Sequence, residues 1–410
     1  MESRRAGVTL IYQSKDITAN VSGDLTSVSY EEGFGQADIV NIALQDRDNK
    51  WLLSWKPQTG ERLKMDIDVT NWQREGDNRK LKCGNFLVDE LEYTAPPRTL
   101  ILKGNSLPSN SNFIGTPHKR TWKNVTLKDQ FLSMLPSSLT LNWQTEFNIN
   151  LVYAEQSEIP DLEYISNQCV KYGLRLKVLN NRLTVFSARE LDAKPPIRTF
   201  TPDMLAGYTL RHTATRTQYD ACTVKYQNAA QGSEISFTYP AGGTPKKAYE
   251  VNETVYSIAE AEAVAKAALW AQNMISDTCE LTLIMGDTSL YAELNIALKG
   301  FGDFDSEYGI DASTHEVSES GYTTTLSLHK VIRDEPVPQE SEDIKIGDIV
   351  NFAGGLHYVA SMATTPTGGT RTAGTAKVTN IAASAPHPYH LIGITSNVYG
   401  WVDASTVSKE

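Results

Sequence analysis

The sequence predicts a mainly β chain of the α+β class, in which two strand-rich regions flank an α/β insert and a small barrel follows at the C-terminal end. Three observations predict it. Apolar residues recur at the two-residue strand period through both flanking regions, helical spacing with capping pairs enters between them, and an acidic, proline-containing stretch sets off a last run of short strands. The 410 residues exceed one ordinary core and imply roughly two to four domains at ~150 residues each. The expected boundaries are 1–107 for the first β region, 108–196 for the insert, 197–333 for the second β region, 334–345 for the linker and 346–410 for the last module.

In the first region, Val40, Ile42 and Leu44 share a face, and Leu63, Met65, Ile67 and Val69 alternate with Lys64, Asp66 and Asp68, the pattern of a half-buried strand. Gly76-Asp77-Asn78 supplies turn residues that tolerate positive φ, so the strand from Leu81 to Leu91 is expected to pair antiparallel with the one before. Thr99 to Leu102 is expected to close this first sheet. The polar loop Pro108–Asn112 marks a boundary. Beyond it, Thr126 with Asp129 three residues later forms a helix-capping pair and Pro136 stops that helix. After Pro160, Leu162, Ile165, Cys169 and Tyr172 recur at helical spacing until Gly173. Leu174–Val178, Asn180-Asn181 and Leu183–Phe186 then read as a hairpin.

Strands return after Ile197. Cys222, Val224 and Tyr226 share one face, as do Ile235, Phe237 and Tyr239 before the Pro240–Gly243 turn. Ser257 with Glu260 caps an Ala-rich helix running to about Met274. Leu290, Ala292, Leu294, Ile296 and Leu298 alternate as one strand, Gly300–Asp303 breaks it, and Ile310, Ala312 and Thr314 lead to the Ser318–Gly321 turn. Tyr322, Thr324, Leu326 and Leu328 then share a face of a closing strand. Proline and like charges stiffen and extend the Asp334–Asp343 linker. Past it, short strands with glycine-rich turns predict the small barrel.

Composition bounds the function. Hydrophobic content of 40% and charged content of 21% are ordinary for a folded globular protein. No run approaches the ~18 uninterrupted apolar residues of a membrane helix, and Met1–Arg5 leads into strand-like sequence rather than an apolar signal core, so a soluble protein with no membrane partner is expected. A formal net charge of −11 argues against specific nucleic-acid binding, which needs clustered Lys and Arg. Cys83, Cys169, Cys222 and Cys279 are far apart in apolar-patterned segments and read as buried free thiols.

Candidate chemistry is sparse. Asp303, Asp305, Glu307 and Gly309 imitate a calcium loop, but Thr314 stands where the bidentate Glu belongs, so an acidic turn is expected. Gly33-Phe34-Gly35 and Gly300-Phe301-Gly302 lack the third glycine and following helix of a dinucleotide loop. His387 and His390, with His357, are the best metal or acid–base candidates, yet no cysteine completes a set. Their aromatic, proline-rich surroundings favour packing or recognition. The candidate recognition surface of the C-terminal module is therefore His357, Tyr358, His387, Tyr389, His390, Tyr399 and Trp401. His118, His212, His315 and His329 are isolated from one another and read as strand or loop histidines. No nucleophile elbow, His-Glu-x-x-His or P-loop is present, so no catalytic, cofactor-binding or metal residue is assigned and no enzyme activity is expected.

Several short runs together carry a resemblance. Leu298-Lys299-Gly300-Phe301-Gly302, with Phe304, Ser306 and Tyr308, followed by Gly321–Leu328, resembles the end of the phage late control D proteins, tail baseplate hubs related to VgrG. Ser14–Thr18, Gly35–Asp38 leading to Asp46–Asp48 and Trp51, and Cys83–Phe86 with Val88–Glu90 resemble that family in order and spacing, so the likeness spans most of residues 8–331. The Ile346–Val350 opening and the Gly400-Trp401-Val402 close resemble bacterial SH3-type domains, including those of clostridial wall-acting proteins.

The resemblance implies two tube-like β-barrels per chain and a homotrimeric ring that adapts a six-fold tail tube to a three-fold spike. It implies spike, tube and other baseplate proteins as partners, and a place in the tail baseplate of a virion or phage-tail-like particle assembled in the host bacterial cytoplasm. No cofactor is implied. Peptidoglycan is a further ligand open to the last module, and a wall-binding or wall-degrading tail protein is the alternative function.

Overall fold

The computed structural model describes residues 3–108, 111–213, 219–228, 233–240, 246–333, 344–382 and 385–409. The expected linker lies outside the described residues except for 344 and 345, as do 241–243 of the turn after Tyr239 and 109–110 of the polar loop. The chain divides into two compact units, Met1–Arg333 and Asp334–Glu410.

In the first unit strands from the two flanking regions build one sheet of thirteen strands, and other strands form three smaller sheets of two, three and three strands. Arg62–Thr70 pairs antiparallel with both Arg5–Tyr12 and Arg79–Thr94, and its Leu63, Met65, Ile67 and Val69 are all buried. Thr99–Asn105 does not close a separate sheet. It sits between Ile39–Gln45 and Arg79–Thr94, and the order continues through Leu25–Gly33 onto Glu307–Ser318 of the second β region, with Gly33 opposite Ala312 and Ser27 opposite Ser318. Both edges of Thr99–Asn105 and of Leu25–Gly33 are hydrogen-bonded to neighbours, so the two β regions share one ladder.

The second β region departs from the expected pattern in two places. Only Asn295–Leu298 of the Leu290–Leu298 run is a strand. Leu290 and Ala292 are fully buried, yet Glu293 has φ +91° and the Ala292 N–H is given to the Glu32 carboxylate, so these residues plug the core as a turn. In Glu307–Ser318 a bulge between Ile310 and Ala312 moves the buried face to Ser313, His315 and Val317, where alternation places Ala312 and Thr314. The hairpin itself forms as expected, closing at Ser318 and Gly321, and Tyr322, Thr324, Leu326 and Leu328 are buried.

The insert has its own core. Thr126 caps Leu127–Met134, its side chain accepting from the Asp129 N–H, and Asp161–Lys171 buries Tyr164, Ile165 and Cys169. Leu174–Leu179 and Arg182–Ser187 pair as a hairpin through Asn180 and Asn181, both at positive φ. Residues 221–274, expected within the second β region, contribute to this same core. Cys222, Val224, Val264 and Ala265 pack with Phe131, Ile165 and Val185, because the capped helix Ile258–Met274 lays its apolar side against both the Ala221–Asn228 sheet and the helix Asp161–Lys171. All four cysteines are buried and free.

The second unit is a five-stranded antiparallel sheet in the order Tyr399–Val402, Tyr389–Gly393, Gly374–Ile381, Ile349–Phe352, Val407–Lys409. Its core is Val350, Phe352, Ala376, Val378, Leu391, Val398 and Val402.

Candidate functional site

In the second unit the strand register decides which candidate residues face outward. Tyr389 lies opposite Val402, His390 opposite Trp401, Leu391 opposite Gly400 and Ile392 opposite Tyr399. Because cross-strand partners share a face, the burial of Leu391 and Val402 directs His390, Ile392, Tyr399 and Trp401 to the other side. There the His390 ring lies 5.5 Å from Tyr399 and 5.4 Å from Trp401, both edge-on, and its Nδ1 is 2.6 Å from the Thr379 hydroxyl. Burial lowers the His390 pKa. Tyr399 is 66% exposed, so this group forms an outward aromatic ledge.

The other candidates turn inward. Tyr358 and Trp401 exchange backbone hydrogen bonds of 2.8 and 2.9 Å, and Tyr358 stacks on His387 at 3.4 Å between ring centres and 11° between planes. His387 is held by the Asp403 carboxylate at Nδ1 and by the Ala363 carbonyl at 3.0 Å from Nε2. His357 Nε2 accepts from the Arg371 guanidinium at 3.1 Å, and burial with that positive neighbour lowers its pKa. Tyr389 packs against the core. The seven candidates thus separate into a ledge of His390, Tyr399 and Trp401, an inner knot of His357, Tyr358 and His387, and one core residue. Among the described residues, no group of three or more His, Cys, Asp or Glu side chains is placed to hold a metal ion, and no helix is long and apolar enough to cross a membrane. The Asp303–Glu307 segment is a turn, with Asp305 accepting from the N–H groups of Gly300 and Phe301 and Glu307 paired with Arg333.

The first unit carries a polar junction that the sequence did not reveal. Glu32, 1% exposed, accepts from the Ala292 N–H at 2.5 Å and the Ser313 hydroxyl at 2.7 Å, and pairs with Lys177 of the insert hairpin. Burial alone would lower the Lys177 pKa, but Glu32, Asp38 and Glu293 hold it above its ordinary value. Arg175, two residues earlier, reaches Asp311 at 2.9 Å. Asp311 lies 2.9 Å from His329, which is also 3.0 Å from Asp192. The Tyr30 hydroxyl donates to Asp38 at 2.8 Å, while the second Asp38 carboxylate oxygen is buried without a partner and burial raises that pKa to about 7. His315 and His329, read from the sequence as strand or loop histidines, lie in the strands Glu307–Ser318 and Gly321–Lys330 and are buried members of these networks. Glu32 and Asp311 belong to the sheet and Asp38 directly precedes its strand Ile39–Gln45, while Lys177, Arg175 and Asp192 belong to the insert, so the junction fixes the insert to both β regions.

Comparison with known proteins places this geometry. No family model matches the sequence. The chain is 24% identical over 385 residues to a protein of Escherichia phage 186 named probable baseplate hub protein, and 23% identical over 392 residues to the protein of the same name in Escherichia phage P2. Each match covers 82% of this chain and 95% of the relative. In three dimensions it is similar to the tail protein from Neisseria meningitidis MC58, with TM-score 0.57, 14% identity, and 80% and 97% of the two chains covered. It is also similar to the 43 kDa tail protein of prophage MuSo2 from Shewanella oneidensis, with TM-score 0.59, 13% identity, and 80% and 98% covered. The mainly β architecture is that of these tail proteins. The share of this chain covered is close to the length of its first unit, 333 of 410 residues.

Proposed function

We propose that this chain is the structural baseplate hub of a contractile phage tail or phage-tail-like particle, a homotrimeric ring that adapts a six-fold tail tube to a three-fold central spike. The observation that carries this reading is its likeness to curated hub proteins over 95% of their length. The continuous ladder supports it. Two β regions joined edge to edge in each chain supply six across three copies. The chain acts by matching symmetry and catalyses nothing.

The second unit is an appended recognition module, as its own compact unit and its own apolar core suggest. Its seven aromatic and histidine candidates serve recognition through the ledge, with the inner knot and Tyr389 supporting it. A neighbouring baseplate protein is the favoured ligand. The alternative is a cell-wall-binding or wall-degrading tail protein, whose binding form would use the same outward Tyr399 and Trp401.

Light scattering tests the ring. The expected mass is three copies of the 45.3 kDa chain, alone or with its spike protein. A stable monomer that binds neither spike nor tube protein refutes the proposal. Sedimentation of the isolated module with purified peptidoglycan decides between the two ligands.

A further inference from the structure

The interior of the first β region holds an apolar cleft of about 310 Å³. It is lined from four strands, by Leu10 of Arg5–Tyr12, Leu44 of Ile39–Gln45, Leu63 of Arg62–Thr70 and Leu102 of Thr99–Asn105, and by Val21 of the short helix Thr18–Val21. All five are buried. The turn after Gln45 covers part of the opening, and it is anchored. The buried Asp46 carboxylate accepts from the N–H groups of Trp51 and Leu52, both at 3.2 Å, the Trp51 indole donates to Asp24 at 3.0 Å, and the Tyr93 hydroxyl donates to the Trp51 carbonyl at 2.8 Å. A fixed roof thus holds the hollow open. Close-packed interiors leave few voids larger than a water molecule, and an apolar cavity of ~150 Å³ stays dry and takes up benzene. This cleft has about twice that volume, room for an alkyl chain of medium length.

The mouth has a different chemistry. Trp55, 45% exposed, lines it and stands edge-on to Trp51 at 5.7 Å. The neighbouring charges are mostly committed: Lys50 pairs with Asp24 and lies over both indole rings, Asp46 is occupied by backbone N–H groups, and Glu61 accepts from the Tyr12 hydroxyl. Lys56 also lines the cleft, is exposed and makes no ion pair among the described residues. A mostly apolar pocket fixes its ligand's orientation through a few polar groups, and here the uncommitted one is an ammonium at the entrance.

We infer that this cleft binds a single-tailed anionic amphiphile, in its simplest form a medium-chain fatty acid, with the tail among Leu10, Leu44, Leu63 and Leu102 and the carboxylate at Lys56. Two separate observations specify the two ends of the ligand: the roofed apolar hollow takes the tail, and the free ammonium takes the head. Every group comes from one chain, so the site stands whether or not the chain forms a ring. The net charge of −11 favours a free amphiphile over an anionic bilayer, because an extended charged surface is repelled by the whole molecule whereas one small carboxylate meets a largely screened field.

Titration calorimetry of the full-length chain with octanoate, decanoate and octanol tests this. One decanoate should bind per chain, about tenfold tighter than octanoate, the increment for two further buried methylenes. Lys56→Gln should weaken octanoate roughly threefold or more and leave octanol, which has the same tail and no charge, unchanged. Val21→Phe fills the hollow from its wall and should abolish binding of all three while the melting temperature holds or rises. Ser54→Trp, at an exposed position on the mouth, should block entry without touching the core and replaces Val21→Phe if that variant does not fold. Failure of every probe to bind, or binding that survives both Val21→Phe and Ser54→Trp, overturns the site. Equal loss of octanoate and octanol in Lys56→Gln overturns the anionic head. Sedimentation with phosphatidylglycerol vesicles by a chain that ignores the free acids overturns the proposal in favour of a membrane surface.

Discussion

His329 Nε2 lies 3.0 Å from Asp192 Oδ1, with Asp311 Oδ2 2.9 Å from its Nδ1. One imidazole from the closing hairpin therefore stands between a carboxylate of the insert and one of the sheet. Burial alone would lower its pKa, but Asp192 and Asp311 raise it to about 9. A raised histidine contributes stability that is fully present below its unfolded pKa near 6.5 and is lost as pH rises through 9. The melting temperature of the wild-type chain should therefore fall between pH 7 and 10, by an amount equivalent to about 3 kcal/mol. His329→Gln should flatten that fall, and calorimetry at closely spaced pH values measures it.

His315 sets the opposite limb. Its Nε2 is 3.0 Å from the Leu290 carbonyl and its Nδ1 2.8 Å from the Tyr322 hydroxyl, the pairing of a neutral ring that donates at Nε2 and accepts at Nδ1. Burial pushes its pKa down to about 4. The contribution is present above about 6.5 and lost as pH falls toward 4, again on the order of 3 kcal/mol. A histidine-resolved NMR titration should show His315 neutral at pH 5.5; a charged ring at that pH contradicts this assignment.

Asp38 acts against His315 in the same window. Burial raises its carboxyl to about 7, so the folded chain keeps a proton that the unfolded chain releases near pH 4, and stability declines as pH rises from 4 to 7. Asp38→Asn retains an acceptor for the Tyr30 hydroxyl. It should raise the melting temperature at pH 8 by an amount equivalent to a few kcal/mol, about 2–4, and change little at pH 4. Equal effects at both pH values would show that the group titrates normally.

Periodicity made the strands and caps legible because each is a local consequence of side-chain spacing. Leu63 to Val69, Thr126 with Asp129 and Ser257 with Glu260 all stand where the pattern puts them. The bulge after Ile310 was hidden, since an extra residue in a strand leaves no mark in composition, and with it went the burial of His315. The Glu32–Lys177 pair joins residues far apart in sequence, and nothing in either neighbourhood marks it. Cys222 and Val224 were legible as one strand face, but not as belonging to the insert core, because alternation gives a face without giving its partner. Of the C-terminal candidates, Tyr389 follows an alternation that points it inward with Leu391, whereas the stacking of His387 on Tyr358 depends on loop geometry.

Gly400 should be irreplaceable within the second unit. Its φ is +138°, and a Cβ there would meet the Tyr358 carbonyl oxygen at 2.8 Å. Gly400→Ala combines backbone strain of ~1–3 kcal/mol with a clash against the Tyr358–Trp401 backbone pair. The expected outcome is a second unit that melts at lower temperature and exposes Trp401 to fluorescence quenchers, with the transition of the first unit unmoved.

That last expectation depends on the two units folding independently, which is itself testable. Each has a separate apolar core, Val350, Phe352, Leu391 and Val402 in one and the sheet and insert cores in the other. The sequence between them, Asp334 to Asp343, offers Val337 as its only aliphatic side chain among prolines and like charges, too little apolar surface to build a shared core. Residues 1–333 expressed alone should retain the cooperative melt and association of the whole chain, and 344–410 should fold and present the His390–Trp401 ledge. Loss of association on removing 344–410 would make the module part of the ring. If association survives, the module is free to hold a ligand while the sheet holds the ring, and Trp401→Ala should then abolish ligand capture without changing the mass of the assembly.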